Sequence, residues 1–189
     1  MNKTLKTVLT IVIVLAIIFI PIITSYNGLV NLEQQVNVAE SNIDTQLQRR
    51  SDLIPNLVNT VKGYASQEKD IFTDIANARS KLAGATNVRD EANADAELSS
   101  ALSRLLVVVE NYPELKSNTN FRDLTVELEG TENRIAIARQ DYNTAATKYN
   151  TKRKKFPTTI IASIFNFQEK PLYKASDGAS EVPSVDFSS

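Results

Sequence analysis

The chain of 189 residues has no histidine and no cysteine, and only five glycines. Each shortage removes a class of chemistry. Without cysteine there is no disulfide, no thiolate zinc cluster, no thiol nucleophile and no residue to carry a lipoprotein anchor. Without histidine, the paired Glu and Glu-x-x-His ligands of carboxylate-bundle metal sites cannot be assembled in their usual form. Five glycines suit a helical protein and leave no glycine-rich phosphate loop. Charge is balanced, with Lys+Arg 21 against Asp+Glu 22, so no basic excess points to nucleic acid. These absences lead us to expect no cofactor, no metal and no enzyme.

What the chain does have is a long uncharged run. No charge occurs from Thr7 to Leu32, and Val8 to Ile23 reads VLTIVIVLAIIFIPII. A membrane-spanning helix needs about 20 mostly apolar residues. The strongly apolar core falls slightly short, and the uncharged residues up to Leu32 extend it. Pro21 lies near its C-terminal end, and Tyr26 follows where an interfacial aromatic belongs. A cleaved signal peptide is the rival reading, but Ile20 to Gly28 offers no convincing pair of small residues for the cut. Lys3 and Lys6 precede the run, and no cation follows until Arg49. This asymmetry predicts a cytoplasmic N-terminus, one pass through the plasma membrane and an extracytoplasmic remainder.

Beyond the run, apolar residues recur at helical spacing. The expected fold is all-α: an N-terminal transmembrane helix, then an antiparallel four-helix bundle of long helices, then a disordered C-terminal tail. The first bundle helix carries Leu29, Leu32, Val36, Ala39, Ile43 and Leu47 on one face. A turn is expected around Arg49–Asp52, with Ser51 or Asp52 capping a second helix from about Leu53 to Leu82 and Pro55 in its first turn. One helix through Arg50 and Pro55, giving a three-helix packing with one kinked arm, is the alternative. Gly84, Thr86 and Asn87 then break the pattern. The third helix covers about Asp90 to Glu110 and ends at Tyr112-Pro113. The fourth begins after Asn118 or Thr119 and keeps the register Phe121, Leu124, Leu128, Thr131, Ile135, Ala138, Tyr142, Ala145, Tyr149. Up-down-up-down topology would bring the Arg49–Asp52 turn and the Tyr112–Leu115 turn to the same membrane-distal end. Residues 1–25 then form the N-terminus and anchor, 26–155 the bundle, 156–167 a short amphipathic helix and 168–189 the tail, which is too poor in apolar residues to order itself.

Two groups of residues are candidate sites. Arg49, Arg50, Asp52, Tyr112 and Glu114 would share the distal end, where the arginines could grip a carboxylate or phosphate; caps and ion pairs are the plainer reading. Lys152, Arg153, Lys154 and Lys155 form a basic run before Phe156, Ile160, Ile164 and Phe165, a pattern suited to a membrane surface. A short helix capping the bundle core explains the same residues. Glu68, Arg79, Glu132, Arg139, Asn133, Asn143 and Asn150 lie near the apolar seams and are read as register-fixing polar contacts.

Several blocks together resemble the LemA family: Tyr26 to Glu68 (YNGLVNLEQQVNVAESNIDTQLQRRSDLIPNLVNTVKGYASQE), Ala78-Arg79, Asn111 to Asn143 and YNTKRKKFP at Tyr149 to Pro157. The resemblance implies a bacterial, membrane-anchored, antiparallel helical bundle with no catalytic residues to carry over. It extends to magnetosome-associated relatives in magnetotactic bacteria, which implies membrane organisation. Family members often have a histidine before the glutamate matching Glu68. Here that residue is Gln67, which weakens any metal-binding role drawn from that position.

The expected function is therefore a non-enzymatic scaffold or interaction module at the cell envelope. Its expected partners are membrane lipid, a second copy of itself and other membrane or envelope proteins. The outward faces of the third and fourth helices carry mixed charge, including Arg104, Glu110, Arg122, Glu127, Glu129 and Arg134. A solvated face is the plainer reading of any one of them, and lateral contacts between copies would be helped by the span and the Phe156–Phe167 segment. Ligand sensing through the distal arginines is the alternative, and catalysis a more distant one.

Overall fold

The structure is a computed structural model and describes residues 3–174. Every regular element among them is a helix: α1 (Lys3–Lys62), α2 (Lys69–Ala83), α3 (Val88–Val109), α4 (Pro113–Lys116), α5 (Thr119–Lys154) and α6 (Thr158–Ile164). The chain divides into two compact units. Among the described residues, the first joins α1 up to Asp44 with Ile137–Leu172, and the second joins Thr45–Ala136 with Tyr173 and Lys174. Both α1 and α5 contribute to each unit.

The turn expected at Arg49–Asp52 is absent. α1 continues through Pro55 to Lys62, as the single-helix alternative required. The reason is an unbroken buried face: Leu29, Val36, Ile43, Leu47, Arg50, Ile54, Leu57 and Val61 are all buried, in steps of seven, four and three residues. Full burial of each such aliphatic side chain contributes about 1.5–3 kcal/mol, so four of them together outweigh the ~3 kcal/mol of one interior proline. Ser51 and Asp52 are consequently helix-interior residues. The Ser51 hydroxyl accepts from Arg79 Nε at 3.0 Å, and Asp52 accepts from Gln48 at 2.7 Å.

The chain turns instead at residues 63–68. Gly63 follows the last helical residue, and the N–H groups of Tyr64 and Ala65 both donate to the Val61 carbonyl. The expected helix Leu53–Leu82 is thus the end of α1 plus α2. Pro55 still removes one backbone donor and crowds the Ser51 carbonyl. Replacing it should stabilise the protein, less the entropy that proline withholds from the unfolded chain. Pro55→Ala is expected to raise unfolding stability by about 2 kcal/mol, as read by chemical denaturation. Unchanged or lower stability would show that the helix carries no proline penalty there.

In the second unit, paired contacts set the direction of each helix. Lys81–Glu97 and Arg104–Asp74 run α2 antiparallel to α3. Arg79–Ser51 and the Lys62 ammonium over the Phe72 ring run α2 antiparallel to α1. Arg49–Glu127 and Tyr64–Asn118 do the same for α1 and α5. The core these helices enclose includes Ile54, Leu57, Val61, Phe72, Ile75, Leu98, Leu105, Leu115 and Phe121. Local chemistry fixes the ends. Asn87 caps α3 by accepting from the N–H groups of Arg89 and Asp90. Asn118 accepts from Phe121 N–H at the start of α5, and Pro113 opens α4.

The loop at 63–68, and not Arg49–Asp52, meets the Tyr112 turn. The Tyr112 hydroxyl accepts from Gln67 Nε2 at 2.5 Å and donates to Glu68 Oε1 at 3.2 Å. Loss of solvent around that hydroxyl, and then the Glu68 carboxylate, hold it above its ordinary pKa. Its contribution to stability is complete below that ordinary value and is lost as pH rises through the shifted one.

In the first unit, Leu29, Val36 and Ile43 of α1 and Ala138, Tyr142, Ala146 and Tyr149 of α5 are buried. Ala146 takes the seam place expected for Ala145, which is half-buried. α6 ends in a left-handed residue, Asn166 at φ 56°. Around it Asn166 N–H donates to the Ser163 carbonyl and Phe167 N–H to the Ala162 carbonyl, the pair of bonds that closes a Schellman C-cap.

The segment after α6 corrects the expected tail boundary. From Gln168 to Pro171 the chain is held along α5. Asn150 donates to the Lys170 carbonyl and accepts from its N–H, at 2.8 and 3.0 Å. Tyr142 donates to the Pro171 carbonyl at 3.0 Å and Arg153 Nε to the Phe167 carbonyl at 2.8 Å. Side-chain amides and hydroxyls order this strap, so its lack of apolar residues misled the expectation of disorder. The rest of the expected tail, residues 175–189, lies outside the described residues.

Candidate functional site

The distal candidate group does not assemble. Arg49, Arg50 and Asp52 lie within α1, whereas Tyr112 and Glu114 belong to the turn that meets residues 63–68. Arg49 pairs with Glu127 at 2.6 Å on an open surface, where such a pair contributes little. Arg50 is only 4% exposed. Its Nη1 reaches Asp95 and Glu132, each at 2.7 Å, and its Nη2 donates to Ser99 Oγ at 3.0 Å. Both Nη atoms are engaged inside the fold and only a buried Nε has no partner, so the guanidinium presents no fork to a ligand in solvent. Two surface clefts of about 250 and 590 Å3 contain neither Arg49 nor Arg50. Among the described residues, no group of three or more acidic side chains gathers that could hold a metal.

Glu132, Glu68, Arg79 and Asn150 each make a polar contact between segments far apart in sequence. Asp95 extends the Leu98, Leu102, Leu105 seam of α3 by one step of three toward its N-terminus, so helical spacing is the signal that could have found it as Arg50's partner. Of the lateral charges, Arg104 pairs with Asp74, Glu110 with Lys116 and Glu127 with Arg49. Arg122, Glu129 and Arg134 are exposed and make no ion pair among the described residues.

The second candidate group does assemble, in the first unit. α1 carries its apolar run uncovered: Ile11, Ile17 and Ile20 are each more than half exposed. It is long and apolar enough to cross a membrane, and no other helix among the described residues is. That stretch, so exposed, indicates a membrane location. At its end, Tyr26 meets the rings of Phe165 and Phe167, with centroids at 4.8 and 5.7 Å and edge-on geometry. Two residues on, the Lys152 stem passes Gly28, its Cε 3.8 Å from where a Cβ would stand, an ordinary contact distance. Lys170 reaches Glu33 at 3.4 Å.

Within the basic run, roles divide. Lys154 bonds Glu169 at 2.8 Å and Arg153 pairs with it at 3.5 Å. The Lys154 hydrogen bond, more than any other cause, holds the Glu169 carboxyl below its ordinary pKa. The contribution of this cluster is present above the ordinary carboxylate pKa and is lost as pH falls through the depressed one. Lys152 and Lys155 are exposed and make no ion pair among the described residues. Burial pushes the Tyr149 hydroxyl upward, Glu33 adds to the shift and Arg153 opposes it.

Comparison with known proteins places this architecture. The model of the LemA family matches residues 39–187, starting beyond the apolar run. The chain is similar to magnetosome protein MamQ 2 of Paramagnetospirillum magneticum, at 30% identity over 178 residues, covering 77% of this chain and 65% of that protein. It is similar to magnetosome protein MamQ of Magnetospirillum gryphiswaldense at 27% over 169 residues, covering 76% and 62%. It is similar to protein LemA of Metamycoplasma hominis at 23% over 174 residues, covering 90% and 78%. The chain spans less than two thirds of the length of these magnetosome relatives. With a family model matching most of its length, the chain belongs to the LemA family.

Proposed function

We propose that the protein is a non-catalytic module held at the plasma membrane by a single pass. Its N-terminus is cytoplasmic, and its antiparallel four-helix bundle lies outside, where it self-associates and docks other envelope proteins. One observation carries this reading: the uncovered apolar run is the first part of the same helix, α1, that enters the helical domain. The lysine asymmetry of the sequence supports the orientation. Occupation of Arg50 by Asp95 and Glu132 weighs against ligand sensing at the distal arginines. Two relatives named as magnetosome proteins support an organising role. Anchoring copies on one surface raises their effective concentration, so weak lateral contacts act together. The outward charges Arg122, Glu129 and Arg134 on α5 are the first residues to vary.

The full chain in native nanodiscs, sized by native mass spectrometry and crosslinked in intact cells, tests this. The expected result is a discrete oligomer, weakened by Arg122→Glu with Arg134→Glu. A monomer at every loading, without crosslinks between copies, would overturn self-association.

A further inference from the structure

α6 has two unlike sides. Thr158, Ile161 and Ala162 are buried against its own unit, while Phe156 and Ile164 stand 80% and 68% exposed, with Ile160 and Phe165 about half exposed. Such a face needs an apolar or interfacial neighbour. Its position on the chain says which. The stretch Thr7 to Tyr26 comprises 20 residues and is roughly 30 Å long as a helix, the thickness of a bilayer's hydrocarbon core. Tyr26 therefore stands at the boundary of that core. Phe165 touches Tyr26, so the end of α6 lies at the same level. The headgroup layer is about 5–8 Å deep on each side, and that depth suits a helix lying flat with one apolar face.

The charges agree. Glu169 engages Arg153 and Lys154, whereas Lys152 and Lys155 flank the apolar face without an ion pair among the described residues. Lys152 lies along α1 beside Gly28, where its stem can follow the helix while the ammonium reaches phosphate. A second copy is a poor occupant for this face alone. Four side chains fall well short of the ~800 Å² per partner of a stable interface.

We propose that α6 and its flanking lysines form a collar that docks on the anionic phospholipid headgroups around the anchor, with Phe156, Ile160, Ile164 and Phe165 as the inserted face and Lys152 and Lys155 as the phosphate contacts. This rests on the anchored reading above, and the test separates the two.

The chain contains no tryptophan, so single tryptophans report depth without background. Full-length Ile164→Trp, Ile13→Trp and Val107→Trp variants are reconstituted in vesicles of brominated phosphatidylcholine, with and without phosphatidylglycerol. Ile160→Trp is a second collar probe should the first perturb folding. The expected result is quenching of the span and collar probes but not of Val107→Trp, with collar quenching strengthened by phosphatidylglycerol. Lys152→Gln with Lys155→Gln should shift docking by roughly thirtyfold, at about 1 kcal/mol per lysine. That shift reads as loss of collar quenching with span quenching retained. Quenching of the span alone overturns the collar and leaves the anchor standing. No quenching at either probe overturns the anchor. Collar quenching equal in both lipids and indifferent to the lysines overturns anionic recognition. Crosslinks through position 164 between copies, without lipid quenching, assign the face to a second copy and overturn the proposal.

Discussion

Placing Ile13→Asp and Ile17→Asp together in α1 is expected to move the protein from the carbonate-resistant membrane fraction to the soluble fraction. Both side chains are exposed in a helix stretch that nothing covers among the described residues. An aspartate near the centre of a membrane helix costs about 2.5–3.5 kcal/mol, and each isoleucine removed forfeits about 0.3–0.6 kcal/mol more. Two substitutions thus cost roughly 6–8 kcal/mol, which offsets most of what the remaining aliphatic residues of the run contribute. Val107→Asp and Val126→Asp, at similarly exposed positions of α3 and α5, are the matched controls and should leave fractionation unchanged. Carbonate also strips peripheral contacts, so docking of α6 alone would not retain the protein. If the double aspartate variant stays in the carbonate-resistant fraction, the run is not what holds the chain.

The helices were legible because apolar spacing survives in sequence. α3 and α5 begin and end within two or three residues of the positions their caps and prolines mark. The heptad of α5 from Phe121 to Tyr142 shows in the residue spacing alone. The course of α1 could not be settled by the same rule. Its steps from Ile43 through Leu47, position 50, Ile54, Leu57 and Val61 are four, three, four, three and four, which is unbroken helix. The residue at position 50 is an arginine, followed by Ser51, Asp52 and Pro55. Charge on a seam position, next to capping residues and a proline, is the local signature of a turn. What overrides it is the pair of carboxylates on α3 and α5 that reach Arg50, and only the tertiary fold can supply them.

The sites were legible to different degrees for the same reason. The basic-apolar run Lys152 to Phe165 is contiguous, so its grouping needed no fold. Its neighbours Tyr26, Glu169 and Lys170 come from other segments and became visible only through contact. The distal group depended on the turn at Arg49–Asp52, and moving that turn to residues 63–68 separated its members. The strap from Gln168 to Pro171 shows a further blind spot. Composition measures burial, whereas this segment is held by the side chains of Asn150, Tyr142 and Arg153 bonding its backbone.

Removing Arg50 is expected to be the most destabilising single change in the second unit. Arg50→Met should cost about 3–5 kcal/mol, a fall in melting temperature of roughly 10 °C or more for a domain of this size. The cause is not the loss of a favourable ion pair as such. Asp95 is 1% exposed, and without the guanidinium its buried carboxylate loses the cation that balances its charge. Glu132 has a half-exposed side chain and can turn to water. Arg50→Lys should fall between the wild type and Arg50→Met, because an ammonium keeps the charge but lacks the fork that joins Asp95, Glu132 and Ser99. Asp95→Leu alone should also be costly, since it leaves the buried arginine with only the half-exposed Glu132 and the Ser99 hydroxyl. The double variant Arg50→Met with Asp95→Leu should recover most of the stability, because a buried pair exchanged for apolar side chains of similar size is often neutral or better. Chemical denaturation of the four proteins closes a double-mutant cycle, with an expected coupling of several kcal/mol. Additive losses in that cycle would show that Arg50 and Asp95 act independently. A cost below about 1 kcal/mol for Arg50→Met would show that Asp95 is solvated without its partner. In either case the pair would no longer explain why α1 runs straight through a sequence that reads as a turn.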